Sequence, residues 1–140
     1  MSQENVELAQ RAMDAFNRSN LAVSAVDPLP WLREFCDPDI ELDLSRRGID
    51  PEVYCGYEEF ARRGAEVAEV WEELRMEVEE IIDAGENVVL FTHNKGVARS
   101  GIKLGVAIAY VLTFRAGKIT RWVYFGEDRP AALKAVGLEE

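Results

Sequence analysis

Apolar residues recur every three to four positions at the start of the chain. Val6, Ala9, Met13 and Phe16 share one side of a helical wheel, and Glu7, Gln10, Arg11 and Asp14 fall elsewhere. This spacing predicts a first helix that ends over residues 17–20. Asp27-Pro28 matches an N-cap followed by proline at the first helical position. It predicts a short second helix that buries Trp31, Leu32 and Phe35. Asp37-Pro38-Asp39 predicts a turn. Ile40-Glu41-Leu42-Asp43-Leu44 alternates and predicts a short strand. Residues 45–56 hold Gly48, Pro51 and Gly56 with few periodic apolar positions, and read as a loop. A third helix is predicted from about residue 57 to 71, with Phe60, Gly64, Val67 and Trp71 on one face.

Residues 72–84 fit two periods. Leu74, Met76 and Val78 alternate with Arg75, Glu77 and Glu79, as in a strand, while Leu74, Val78, Ile81 and Ile82 fit a helix. Asp83-Ala84-Gly85-Glu86-Asn87 predicts a turn in either case. Beyond it the chain reads as β structure. A strand is predicted over residues 88–97, then a turn at Arg99-Ser100-Gly101. The clearest strand covers residues 102–114: Ile102, Leu104, Val106, Ile108, Tyr110, Leu112 and Phe114 share one face, and Gly105, Ala107 and Ala109 lie on the other. Ala116-Gly117 turns the chain into a final strand over residues 119–125. Asp128 then caps a last short helix, with Pro130 near its start and Gly137 at its end. Helices with one early strand, followed by a run of strands, predict an α+β fold.

The 140 residues suit a single domain, 1–140. They include 16 basic and 26 acidic side chains, for a net charge of −10. That sign argues against a general nucleic-acid partner, which needs clustered Lys and Arg, and against an anionic membrane surface. The basic pairs Arg46-Arg47 and Arg62-Arg63 stand alone, and the second reads as a partner of nearby helix acids. No apolar run approaches the ~20 residues of a membrane span. The N-terminus lacks the basic-then-apolar pattern of a secretory signal, so a cytoplasmic location is expected. Cys36 and Cys55 form no Cys-x-x-Cys pair, and with the single His93 they match no zinc spacing. Reduced thiols and no metal are expected. No phosphate loop or nucleophile elbow occurs, and no cofactor is expected.

Several segments resemble the nuclear transport factor 2-like superfamily, and its SnoaL-like branch above all. They are MSQENVELAQRAMDAFNRSN at the start, FCDPDIELDL, GYEEFARRG, IIDAGENVVLF, and YVLTFRAGKITRWVYF followed by EDRPAALKAVGL. The resemblance implies a cone: a strongly curved, mostly antiparallel sheet with helices packed on its concave side. It also favours a strand over residues 72–84. It implies a pocket protein that binds a small apolar molecule and a homodimer formed through the sheet, for which the small-residue face Gly105, Ala107 and Ala109 is suited. The superfamily hosts cofactor-independent proton transfer (isomerisation, aldol-type cyclisation, dehydration) as well as proteins that only bind or dimerise, so fold alone does not choose among them.

Three residues are candidates for such chemistry. Asp43 falls where ketosteroid isomerases place their proton-transferring carboxylate. A carboxylate walled in by apolar side chains has a raised pKa, which suits a base working near neutrality. Against this, Asp43 alternates with Leu42 and Leu44; if those face the core, Asp43 faces solvent. Tyr110 falls where the isomerases hold a hydrogen-bond donor to the developing oxyanion, and a phenol has the proton for that role. His93 is the one histidine, the usual proton shuttle, although the neighbouring Asn94 and Lys95 suggest a strand reaching solvent. Phe16 departs from the isomerase pattern, which has a tyrosine there, and argues against steroid isomerisation in its familiar form. Trp122 and Tyr124, on one face of the last strand, and Leu112 are further candidate pocket walls, while Trp31, Phe35, Phe60, Trp71 and Met76 read as either core or pocket lining.

Overall fold

The structure, a computed structural model, describes residues 2–18, 29–48 and 51–138. Four helices and six strands occur among them. In chain order they are α1 (Ser2–Arg18), α2 (Leu29–Phe35), β1 (Cys36–Asp43), β2 (Val53–Cys55), α3 (Gly56–Val70), β3 (Trp71–Ala84), β4 (Asn87–Ala98), β5 (Lys103–Arg115), β6 (Lys118–Tyr124) and α4 (Arg129–Ala135). The predicted Asp27-Pro28 cap lies outside the described residues.

The strands form one curved sheet in the order β2-β1-β6-β5-β4-β3. All neighbours are antiparallel except β1 and β6, which run parallel. Residues 72–84 belong to a strand: β3 pairs with β4 along its length and shifts register between Trp71 and Glu73 and between Val78 and Glu80. The ladder satisfies every second backbone group of this segment, and the alternation at residues 74–78 wins over the helical spacing. The predicted turn at Asp37-Pro38-Asp39 lies inside β1. Its local chemistry is present, since Asp37 Oδ1 accepts from the Asp39 N–H at 2.8 Å. It marks the irregular stretch between Cys36 and Glu41, where β1 shifts register against β6. The predicted 45–56 loop contains the three-residue strand β2, whose central Tyr54 is buried.

Alternation along the strands divides the sheet into two faces. One face carries Ile40, Leu42, Met76, Val88, Leu90, Ile108, Tyr110, Leu112 and Trp122, and packs with Ala9, Ala12 and Met13 of α1 and with Trp31, Leu32 and Phe35 of α2. Burying a side chain such as Met13 contributes about 1.5–3 kcal/mol. Asn17 latches α1 to β3: its amide donates to the Met76 carbonyl at 2.8 Å, and its carbonyl accepts from the Met76 N–H at 2.8 Å. The other face carries Val89, Phe91, Ala109, Val111 and Val123, and α4 covers them with Ala132 and Leu133. So the fourth helix packs on the convex side, unlike the other three. Its cap is the predicted one, with Asp128 Oδ1 accepting from the Ala131 N–H at 3.0 Å.

The small-residue stripe on β5 is approached closely at two points. Ala109 is buried beneath the α4 cluster. The His93 ring lies over Gly105, where an added Cβ would sit 2.9 Å from His93 Nε2. Among the described residues, no helix is long and apolar enough to cross a membrane.

Candidate functional site

The concave face and α3 enclose a cavity of about 470 Å³. Phe16 of α1 and Phe60, Gly64 and Val67 of α3 close it from the helix side. Leu42 and Leu44, at the end of β1, and Trp122 and Tyr124 of β6 form one wall. Leu74 and Met76 of β3, with Ile108 and Tyr110 of β5, form the facing part of the sheet. The volume lies in the range of small-molecule sites. One lip is the end of the β4–β5 hairpin, where Leu104 (57% exposed) and Val106 line the cavity and still face solvent. Trp71 lies flat on the strand at Gly96; a Cβ there would come within 2.6 Å of its ring, so only glycine admits the indole in this position.

Aromatic rings dominate the wall. Trp122 stands at their centre, with ring centroids 6.2 Å from Trp31, 6.4 Å from Phe60 and 5.7 Å from Tyr110. The Tyr110 ring meets Trp122 edge to face and lies 6.1 Å from Tyr124. Such pairs hold one another in fixed geometry and present a rigid surface.

Three polar side chains run in series along this wall. Thr92 Oγ1 donates to Asn94 Oδ1 at 2.7 Å, and Asn94 Nδ2 donates to the Tyr110 hydroxyl oxygen at 2.9 Å. Strand parity brings them together, since residues 92 and 94 share the inner face of β4 and Tyr110 projects from the adjacent β5. Burial pushes the Tyr110 phenol well above its ordinary pKa, and the Asn94 hydrogen bond offsets only part of that. The phenol therefore stays protonated across the physiological range. Its oxygen accepts from Asn94, and its proton is left to donate. Arg47 and Arg63 also line the cavity. Burial and then the Arg47 charge push the Arg63 guanidinium below its ordinary value. The described lining residues include no carboxylate, imidazole or thiol.

Two predicted catalytic positions therefore lie elsewhere. Asp43 is on the opposite face of β1 from Leu42 and Leu44. Its Oδ1 accepts from the Ser45 backbone N–H at 2.9 Å and the Ser45 hydroxyl at 2.5 Å, and its Oδ2 lies 3.2 Å from Arg121. Burial pushes this carboxyl up, but the Ser45 hydrogen bonds and Arg121 together outweigh it and hold the pKa below 3.8. A carboxylate so held is a poor base near neutrality. His93 also projects from the outer face, beside Glu77 of β3 and Ala107 of β5. The expectation of Asp43 and His93 in the pocket is corrected by strand parity in both cases. Tyr110 is the one predicted catalytic position that lines the cavity.

Of the predicted wall residues, Phe16, Phe60, Trp71, Trp122 and Tyr124 line the cavity. Trp31, Phe35 and Leu112 belong to the core behind it. The Trp31 indole N–H is used there, donating to the Ala12 carbonyl at 3.1 Å. Sequence reasoning missed Asn94, Arg47 and Arg63. Signals pointed to two of them. Asn94 continues the inner-face alternation Val88, Leu90, Thr92, and Arg63 sits three residues after Phe60 and four before Val67, on their helix face.

Comparison with known proteins gives the fold context. The SnoaL-like domain profile matches residues 9–122. No curated protein sequence matches the chain. Among solved structures, the chain is similar to an NTF2-like protein of unknown function from Burkholderia pseudomallei, with 19% identity, a TM-score of 0.72, and coverage of 96% of this chain and 98% of the other. It is also similar to a putative SnoaL-like polyketide cyclase from Jannaschia sp. CCS1, with 21% identity, a TM-score of 0.71, and coverage of 99% and 95%. A third similar structure is TerC, co-crystallised with polyporic acid, with 20% identity, a TM-score of 0.70, and coverage of 95% and 98%. At these identities the likeness is one of fold.

Proposed function

The chain belongs to the SnoaL-like domain family, and on that premise we propose that it binds a small, largely apolar molecule carrying an oxygen acceptor, which receives a hydrogen bond from Tyr110. The observation that carries this reading is the Thr92–Asn94–Tyr110 series set into an aromatic wall. Thr92 orients the Asn94 amide, Asn94 occupies the phenol oxygen, and the phenol proton is directed to a third partner. In an apolar cavity a fixed donor discriminates strongly, because an unmatched ligand leaves it unsatisfied.

The test is a titration with 2-acetonaphthone, an aromatic ketone, followed by calorimetry. Tyr110→Phe keeps the ring and removes the donor, and should weaken binding about tenfold, the worth of one good hydrogen bond. Equal affinity for the variant and the parent would overturn the reading.

A second reading is cofactor-independent proton transfer, for which the Tyr110 donor would stabilise an oxyanion. It also needs a proton acceptor, and the described lining residues supply none. It would be favoured over simple binding if aromatic ketones exchanged α-deuterium in the presence of the protein and Tyr110→Phe abolished the exchange.

A further inference from the structure

The apolar lining of the cavity continues past its lip. Along the inner face of the β4–β5 hairpin, Asn94 stands opposite Val106 and Gly96 opposite Leu104. Next comes Ala98, whose N–H donates to the Ile102 carbonyl at 2.8 Å. Asn94, which holds the Tyr110 hydroxyl, is the last polar side chain of this row. From its level to that of Ala98 the row runs about 13 Å.

The sheet leaves this row uncovered. β6 pairs with β5 from Tyr110 onward, and Ala109 makes the last backbone bonds to Phe125 and Gly126. Before residue 109, β5 has only β4 beside it among the described strands. Leu104 and Val106 consequently line the cavity and face solvent at once, and Ile102 beyond them is 59% exposed. Val70, at the end of α3, lies at the same rim, since its carbonyl accepts from the Arg99 N–H of the hairpin turn at 2.9 Å. Among the described residues six large apolar side chains are exposed, and four of them, Val70, Ile102, Leu104 and Val106, gather at this end. Scattered apolar residues are ordinary on a surface, but a contiguous group of them marks a contact.

Resting on the pocket reading above, we infer that the ligand is elongated: its oxygen sits at Tyr110, and an unbranched hydrocarbon arm leaves the cavity along Leu104 and Ile102. Continuity favours this occupant. The row begins inside the cavity, at Val106 and Leu104, and a surface meant for another protein has no need to extend inward. Its width favours a single chain. It is one strand wide, about 4.8 Å, and Trp71, laid against Gly96, borders it on the β3 side. Covering the row removes apolar area from water, so each added methylene of the arm strengthens binding.

The experiment compares octanophenone with acetophenone by calorimetry. They share the aryl ketone and differ in the length of the alkyl arm. The parent should bind octanophenone at least about tenfold more tightly. Leu104→Asn makes the row polar at an exposed position. It should cut that ratio about threefold or more and leave acetophenone affinity within about twofold. Val53→Thr, on β2, should leave the ratio unchanged. Should Leu104→Asn fold poorly by circular dichroism, Ile102→Asn supplies the same comparison. Equal binding of the two ketones by the parent, or an undiminished ratio in the variant, would overturn the inference and leave the pocket reading standing. An undiminished ratio together with a parent dimer that Leu104→Asn dissociates, read by sedimentation, would assign the row to a second copy instead. Failure of both ketones to bind, with 2-acetonaphthone also silent, would overturn both readings.

Discussion

The two faces of the sheet use polar groups in opposite ways. On the outer face, charges come in surface pairs: Arg121 with Glu41 and Asp43, Lys95 with Glu77, Arg129 with Glu79. On the inner face, the polar chain Thr92–Asn94–Tyr110 is neutral and enclosed by rings. Exposed pairs exchange one hydrated state for another and contribute little. A buried neutral chain contributes only while every member is satisfied, and costs much when one is removed. The same strands therefore carry a tolerant side and an exacting side, one residue apart.

Three substitutions sharpen this contrast, in descending order of effect. Trp122→Ala empties the centre of the aromatic wall and should cost about 3–5 kcal/mol, read from the urea midpoint. A loss below 1 kcal/mol would mean that the wall is loosely packed, contrary to its ring contacts. Thr92→Val preserves shape but leaves Asn94 Oδ1 without its donor. It should cost about 1–3 kcal/mol in the same experiment, and should weaken 2-acetonaphthone binding as Asn94 loses its orientation.

Asp43→Asn is the smallest. At pH 7 it should cost no more than about 1 kcal/mol and leave ligand binding unchanged. Its signature is the pH dependence. The folded carboxyl titrates below its ordinary 3.8, so its contribution is present above that value and is lost as pH falls through the lower, folded one. The parent and variant stability curves should therefore differ near neutrality and converge in acid, as pH falls through the lowered folded value. A gap that persists in acid, or a loss of binding in Asp43→Asn, would break the assignment of Asp43 to the outer face.

Most of the fold was legible because alternation and helical spacing are local. The 102–114 strand, the Ala116-Gly117 hairpin and the Asp128 cap needed no tertiary information, and each is found within a residue or two. Residues 72–84 were not decidable from their own pattern, since a strand with bulges at two places blurs its period. The cavity was half legible. The face of a strand can be read from parity, and the Leu42, Leu44 alternation already pointed Asp43 outward. What parity does not tell is depth. Leu112 and Tyr110 share a face, yet one is sealed in the core and the other reaches the cavity. Arg63 pairs with Glu66 at 3.8 Å, as the helix spacing predicts, and is also half-buried. Its burial follows from the opposing sheet, which no local pattern contains.

The parallel pairing of β1 with β6 has a consequence for the birth of the protein. In the order β2-β1-β6-β5-β4-β3, the β1–β2 ribbon joins the rest of the sheet only through β6. While the chain is being synthesised it holds two separate pieces, a two-stranded ribbon and a three-stranded meander, and a lone ribbon is marginal in water. The strand that closes the gap between them is the last of the six described strands in chain order, and its partner Glu41 precedes Arg121 by 80 residues. Such long-range closure is slow. Competence to hold a ligand is therefore acquired late and all at once, and a nascent chain stalled before residue 118 has no cavity wall at Trp122.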